Sequence, residues 1–222
     1  MNVMIFLLLS IICIGLIFII HKYFGKEELY FLAIIYAIVA LMMSFKTIKI
    51  FGIDINASII FDSGIIFILY YFIRKYKYNE SKKLMLSILI CMLITSMFLI
   101  TTSIMIPSLY DEFNFSYQNM VLDNLPTIII YPLSLLITMS LSSYCFRQLK
   151  EEEDYRLIKT ILTIIGITFI EVLIFIYFSY AFMIGFKKAL IISLNSYLAK
   201  VILMIIFTIF LNIIFKVKKV KE

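Results

Sequence analysis

Seven long apolar segments dominate this 222-residue chain and limit what it can fold into. The hydrocarbon core of a membrane is about 30 Å thick, and an α-helix needs roughly 20 residues to cross it. One soluble core of this size could not enclose so much apolar surface, so the bilayer is the natural solvent. The predicted spans are 3–20, 29–45, 57–73, 84–106, 125–146, 160–182 and 189–215.

These spans predict an all-α integral membrane protein that forms a single domain over residues 1–222. Apolar residues make up 64% of the chain and charged residues 15%, whereas soluble domains have about 45–50% and about 25%. Strands are not expected in the membrane, because an open sheet leaves backbone groups unpaired in lipid. The third span is the weakest, since Asp62, Ser63 and Gly64 interrupt it.

The basic residues indicate how the chain is oriented in the membrane. Fifteen Lys and Arg residues lie in segments 21–28, 74–83 and 147–159 and in the C-terminal tail, whereas the alternate loops hold four. Cytoplasmic loops carry the excess of positive charge. We therefore expect a multi-pass protein of a bacterial plasma membrane, with the N-terminus outside and the C-terminus in the cytoplasm. The same clustering accounts for the net charge of +6 without a nucleic-acid partner.

Several kinds of chemistry lack their sequence signatures. His21 is the single histidine, and the three cysteines form no CxxC motif, so neither a zinc site nor a Cys–His catalytic pair is expected. The sequence has no Walker motif and no nucleophile-elbow motif. We expect a protein that is not an enzyme and needs no cofactor.

Three ionisable residues fall inside the predicted spans: Asp62, Glu171 and Lys200. A charge at mid-helix costs about 2.5–3.5 kcal/mol on insertion scales, and such residues normally pair inside a bundle. Glu171 and Lys200 both lie about 16 Å deep when counted along their helices. The connection between the two spans is short, so they should be antiparallel neighbours and the two charges should meet. The pair is either a substrate or coupling site or a structural ion pair that fixes helix register.

The neighbours of this pair favour a binding site. Thr168 and Phe175 lie one turn either side of Glu171, and Tyr197 lies one turn before Lys200. Charged groups, hydroxyls and aromatic rings at one place suit a small planar polar molecule, and the lipid bilayer is the surrounding partner.

Asp62 and a group of hydroxyl residues are further candidates. Asp62 lies about five residues into the third span, near the outer interface, where it either lines an outer vestibule or reaches water. The hydroxyl residues of the fifth span either line a path or join neighbouring helices. They are Ser134, Thr138, Ser140, Ser142 and Ser143.

The order of segments resembles the vitamin uptake transporter family, also called queuosine precursor transporters. Three features carry the resemblance: an FGK followed by an apolar run and a Lys-Thr…Phe-Gly ending, an aromatic and basic turn KYKYNESKKL, and a Tyr-x-x-Lys in the last helix. The matching positions are Phe24, Gly25, Lys26, Lys46, Thr47, Phe51, Gly52, Tyr197 and Lys200. Glu171 stands where the family usually has an aspartate, followed four residues later by a phenylalanine, here Phe175.

The resemblance implies a six-helix transporter core with one extra N-terminal helix. It also implies import of 7-deazaguanine bases, the precursors of queuosine in tRNA. From the residues of the site we expect passive or proton-linked transport, with Glu171 as the proton carrier. Other polar positions of the family differ here: Leu69, Tyr70, Arg74, Thr127, Ser140 and Ser143 stand in their places. A different vitamin-like substrate and a non-transport scaffold or accessory subunit therefore stay open, as do a homo-oligomer and an accessory energising module.

Overall fold

The chain folds into a bundle of helices that also contains a two-stranded hairpin. The computed structural model describes residues 2–76, 78–108, 111, 113–151 and 157–219. Its α-helices are α1 (Asn2–Tyr23), α2 (Lys26–Ser44), α3 (Ile59–Lys75), α4 (Tyr78–Ile104), α5 (Asn114–Asp123), α6 (Leu125–Glu151), α7 (Leu157–Val172), α8 (Phe178–Ile184) and α9 (Phe186–Lys219). The strands are β1 (Thr47–Ile50) and β2 (Ile53–Asn56), and a π-helical segment, Leu173–Tyr177, joins α7 to α8. Lys77, Arg156 and Lys221 of the basic segments lie outside the described residues.

Helices long and apolar enough to cross a membrane appear where the apolar segments predicted them. Within the described residues there are six such spans: Asn2–Tyr23, Lys26–Ser44, Tyr78–Ile104, Leu125–Leu149, Ile158–Ile184 and Phe186–Phe210. The all-α membrane-protein fold class is therefore confirmed. The remaining predicted span, 57–73, forms α3, which has 17 residues and is about 26 Å long.

Helix α3 lies at the centre of the bundle. Fourteen of its 17 residues are buried, and it contacts α1, α2, α4, α6 and α9. A helix that is apolar on all sides is expected in such a buried position. Gly64 allows this close packing: a Cβ atom there would lie 2.8 Å from Cys13 Sγ and 2.8 Å from Tyr36 Cδ2.

A β-hairpin occupies residues 47–56, where the sequence predicts a loop between two spans. Thr47 pairs with Asn56 and Ile50 with Ile53 in antiparallel register. Phe51 and Gly52 at the turn have φ values of 50° and 84°, the positive values that a tight two-residue hairpin turn requires. Strand β2 packs on α9, so this end of the bundle, hereafter the hairpin end, is closed by the hairpin.

The acidic segment 107–124 also contains structure that was not predicted. Helix α5 covers ten of its residues and contacts α4 and α6. Asp111 and Asp123 are exposed, as expected of a loop outside the membrane core. Glu112 lies outside the described residues.

Candidate functional site

The site is centred on an ion pair between α7 and α9. Lys200 Nζ donates a hydrogen bond to Glu171 Oε1. The two residues are only 1% and 4% exposed, and the helices that carry them pack closely. The predicted contact is therefore confirmed. Removing one member of a buried pair costs about 3–5 kcal/mol, because the other charge is left without compensation.

One carboxylate oxygen of this pair has no partner. Glu171 Oε2 is fully enclosed and accepts no hydrogen bond from any described residue, and the same holds for Thr168 Oγ1 one turn earlier on α7. A buried acceptor or donor without a partner costs about 1–3 kcal/mol. The site therefore has unused hydrogen-bonding capacity beside its charges.

Asp62 is the second carboxylate of the site. It is 2% exposed, so the interpretation in which it reaches water is wrong. Its Oδ2 accepts a hydrogen bond from Ser58 Oγ at 2.7 Å, and its Oδ1 accepts one from the Tyr131 hydroxyl at 2.7 Å. Asp62 is buried because α3 begins inside the protein, beneath the hairpin. Its position in the first turn of α3 also places it near the positive end of the helix dipole.

Tyr131 of α6 lies close to both carboxylates. Its hydroxyl binds Asp62, and its ring packs edge-on against Phe175, with ring centroids 4.8 Å apart. Both Asp62 and Glu171 interact electrostatically with the Tyr131 hydroxyl and with each other. The sequence did not predict Tyr131 as a site residue. The available signal was a tyrosine inside an apolar span, because a buried tyrosine hydroxyl usually needs a polar partner.

The backbone changes its helical form immediately after Glu171. The π-helical segment Leu173–Tyr177 contains Phe175, which is buried against Tyr131. Short π-helical turns within α-helices are rare and occur frequently at functional sites. Phe175 therefore lies in the interior of the bundle, one turn after Glu171.

Tyr197 does not join this buried cluster. Its ring packs against Phe169 at a centroid distance of 5.6 Å, and Phe169 is 46% exposed. The expectation that the rings of Tyr197 and Phe175 lie at one place beside the ion pair is therefore wrong for Tyr197. Ser196, one position earlier, points inward: it is fully buried, and its Oγ accepts a hydrogen bond from the Asn56 backbone at 2.9 Å.

Asn56 anchors the hairpin above the site. Its side-chain amide donates to the Tyr180 hydroxyl at 2.8 Å and to the Ser44 carbonyl at 3.1 Å. Its Oδ1 accepts a hydrogen bond from the Ser58 backbone at 2.7 Å. One side chain thus joins the hairpin to α2, to α8 and to the start of α3.

The hydroxyl residues of α6 are divided between two faces. Ser134, Thr138 and Ser142 recur at four-residue intervals and are buried, as is Ser143, whereas Ser140 is exposed. The side-chain oxygens of Thr138, Ser142 and Ser143 have no partner among the described residues. We call Ser134, Thr138 and Ser142 the hydroxyl stripe, which continues along α6 from the region of Tyr131.

A cavity of about 150 Å³ lies elsewhere, at the hairpin end. Its walls are largely apolar and come from α1, the end of α2, the hairpin and the start of α3. None of the six predicted site residues lines it. The ion pair and this cavity are therefore separate features.

The chain was also compared with known proteins. No protein-family model, no curated protein and no solved structure matches it.

Proposed function

We propose that this protein imports a small, planar, nitrogen-rich molecule across a bacterial plasma membrane. The observation that carries the proposal is the enclosed Glu171 Oε2, an acceptor without a partner beside a lysine. The queuosine precursors, 7-deazaguanine bases, are the substrate class that the sequence resemblance implies. They combine ring N–H donors with a carbonyl acceptor.

The chemistry of the site suits such a molecule. Glu171 Oε2 accepts a hydrogen bond from a ring or exocyclic N–H group, and Lys200 donates one of its remaining protons to a carbonyl. Phe175 and Tyr131 provide aromatic surface next to these groups, so Tyr131 takes the part first expected of Tyr197. The hydroxyl stripe supplies further hydrogen-bonding groups along α6.

The orientation of the protein in the membrane follows from the distribution of basic residues. We place the N-terminus and the hairpin end outside and the C-terminus in the cytoplasm. Import is passive or proton-linked, and Glu171 is the proton carrier if protons are used.

Complementation tests the proposal. The protein is expressed in cells that neither make nor import the precursor, the base is supplied, and queuosine is assayed in tRNA. We expect queuosine with the wild-type protein and none with Glu171→Ala or Lys200→Ala at equal membrane abundance. Lys188→Ala, an exposed lysine at the start of α9, is the matched control. Full uptake by both site variants would refute the site, and no queuosine with abundant wild-type protein would refute the substrate.

A scaffold or accessory subunit is the second candidate. The observation that favours it is the direct, fully buried contact between Glu171 and Lys200, which is also what a purely structural pair would make. In that case a double replacement of the two residues by Leu and Met keeps the activity of the complex and the stability of the protein. Loss of activity in a stable double variant would exclude this function.

A further inference from the structure

The buried charges of this protein do not balance. Within the part of the chain that the structure describes, the buried charged residues are Asp62, Glu171 and Lys200. Two carboxylates and one ammonium give a net charge of −1 when all three are ionised. An uncompensated charge in a buried position is strongly unfavourable, so groups in such places change protonation or acquire a partner. The folded protein therefore needs one more positive charge at this site.

The surrounding helices do not supply that charge. Among the described residues, the buried titratable groups of the helices around α3 and the hairpin include Tyr131 on α6, Tyr180 on α8, Tyr36 on α2 and Cys13 on α1, which are neutral near pH 7. Tyr36 and Tyr180 already donate to the carbonyls of Cys13 and Ser44. The other cations on the helices that carry the site lie at least 12 residues, or about 18 Å, along the helix from the site residue on the same helix. Among the described residues these are Arg74 and Lys75 on α3, Arg147 and Lys150 on α6, Lys159 on α7, and Lys187, Lys188, Lys216, Lys218 and Lys219 on α9.

The hydrogen bonds indicate where the missing charge belongs. Both oxygens of Asp62 accept hydrogen bonds from hydroxyl groups, so each already has a partner. Glu171 Oε1 accepts from Lys200, which leaves Glu171 Oε2 as the carboxylate oxygen without a partner. Among the described residues, no three His, Cys, Asp or Glu side chains form a group that could hold a metal ion. A metal cation takes several oxygen ligands, whereas a proton needs one.

We propose that Glu171 Oε2 binds one exchangeable proton in the resting protein, and that the negative charge of Asp62 holds it there. Asp62 acts as a positioning residue, because it binds neither the proton nor the lysine directly. The role of this proton in coupled import rests on the proposed function. The presence of the proton does not rest on the proposed function, because the charge imbalance exists without any substrate.

Infrared spectroscopy of the purified protein tests the proposal near pH 7. A protonated carboxyl group has a C=O stretching band that an ionised carboxylate lacks, and the band of an exchangeable proton shifts in heavy water. We expect the equivalent of one buried protonated carboxyl in the wild type.

Asp62→Asn should abolish the band, since the charges of Glu171 and Lys200 then balance. Glu171→Gln should also abolish it, since Asp62 and Lys200 then balance. Lys200→Met should double it, since two carboxyls then need protons.

Two controls separate charge balance from other effects. Tyr131→Phe removes a hydrogen bond to Asp62 but leaves the charge count unchanged, so the band should persist. Asp123→Asn removes an exposed carboxylate and should also leave it unchanged. Each variant is first checked for cooperative thermal unfolding, and the two isosteric variants, Asp62→Asn and Glu171→Gln, test the proposal independently of each other.

Three outcomes would overturn the proposal. The first is a band that persists in both Asp62→Asn and Glu171→Gln. The second is a folded Lys200→Met protein whose band is no stronger than that of the wild type. The third is a wild-type band that appears only when choline replaces sodium, which would assign the charge to a metal cation. None of these measurements uses a substrate, so a failure of the proposed import would leave the expected spectra unchanged.

Discussion

At the scale of single residues, Lys200 is the clearest example of a side chain explained by its partner. An ammonium group in an apolar span is unfavourable alone, but Glu171 meets it at the same depth on the neighbouring helix. The pair therefore lowers the cost of inserting either charge. The enclosed Glu171 Oε2 also gives the pair a free hydrogen-bond acceptor, which a purely structural pair would not need.

A double-mutant cycle measures how strongly this pair contributes to stability. Glu171→Leu and Lys200→Met should each lower the free energy of unfolding by about 3–5 kcal/mol, because each removes the group that the other residue contacts directly. The double variant should recover most of that loss, since neither member of the direct pair remains. Thermal unfolding in a fixed detergent provides the measurement, with Lys188→Met as the exposed control. Additive losses in the double variant would show that the two charges are not coupled.

Gly64 makes a second prediction at this scale. In Gly64→Ala the added Cβ would lie 2.8 Å from atoms of Cys13 and Tyr36, so α1 or α2 must move away from α3. We expect a loss of about 1–3 kcal/mol, as for other overpacked cores.

Gly166→Ala is the control for this clash. Gly166 lies in α7, and an added Cβ there meets no atom within 4 Å. This change should be neutral or stabilise the protein by about 0.5–1 kcal/mol, because alanine favours a helix interior over glycine. Equal thermal unfolding midpoints for the two variants would contradict the tight packing at Gly64.

At the scale of elements, the hairpin decides how deep α3 begins. Its last residue, Asn56, is buried and joins β2 to α2, α8 and α3. Non-helical backbone is tolerated at membrane depth only where it is enclosed by protein or lines a cavity. The buried start of α3 then presents Asp62 to Tyr131.

Removing the Asn56 side chain should loosen the hairpin. Asn56→Ala leaves the Ser58 amide without its side-chain partner and breaks the bonds to Tyr180 and Ser44, at a cost of about 1–3 kcal/mol. Amide hydrogen exchange should rise in residues 47–56 while that of α4 stays unchanged. Asp54→Ala, an exposed change on the same strand, should leave the exchange unchanged. Uniformly faster exchange throughout the bundle would instead indicate general unfolding.

At the scale of the whole molecule, the apolar outer surface and the charge distribution make a prediction about orientation. In a variant without Cys13, Cys91 and Cys145, a membrane-impermeant maleimide should label Phe51→Cys on intact cells. Lys82→Cys, in the basic segment 74–83, should be labelled only after the cells are opened. Phe51 is 83% exposed at the tip of the hairpin and Lys82 is also exposed, so both sites are accessible. The opposite labelling pattern would reverse the predicted topology.

The sequence could predict some features of the site because they depend on position along the chain. Glu171 and Lys200 were expected to meet, since their depths follow from counting residues along two helices joined by a short turn. The segment TIKIFGIDIN also indicates a hairpin, because isoleucine alternates at positions 48, 50, 53 and 55 around a Phe-Gly turn. The apolar spans on either side favoured a loop there instead.

Other features depend on how the helices rotate and pack, and no local pattern contains that information. Both Ser196 and Tyr197 precede Lys200 by about one turn, and only the packing of α9 places Ser196 inside and Tyr197 beside the exposed Phe169. Tyr131 meets Asp62 although 69 residues separate them.

The sequence alone thus determined where the helices lie, that they form a membrane bundle, and which two charges pair, because hydropathy and depth are properties of the chain read in order. The tertiary structure decided that Asp62 is buried, that Tyr131 binds it and packs against Phe175, and that a hairpin lies over the start of α3. These contacts connect residues of different elements, and their side chains meet only after the helices have packed around α3.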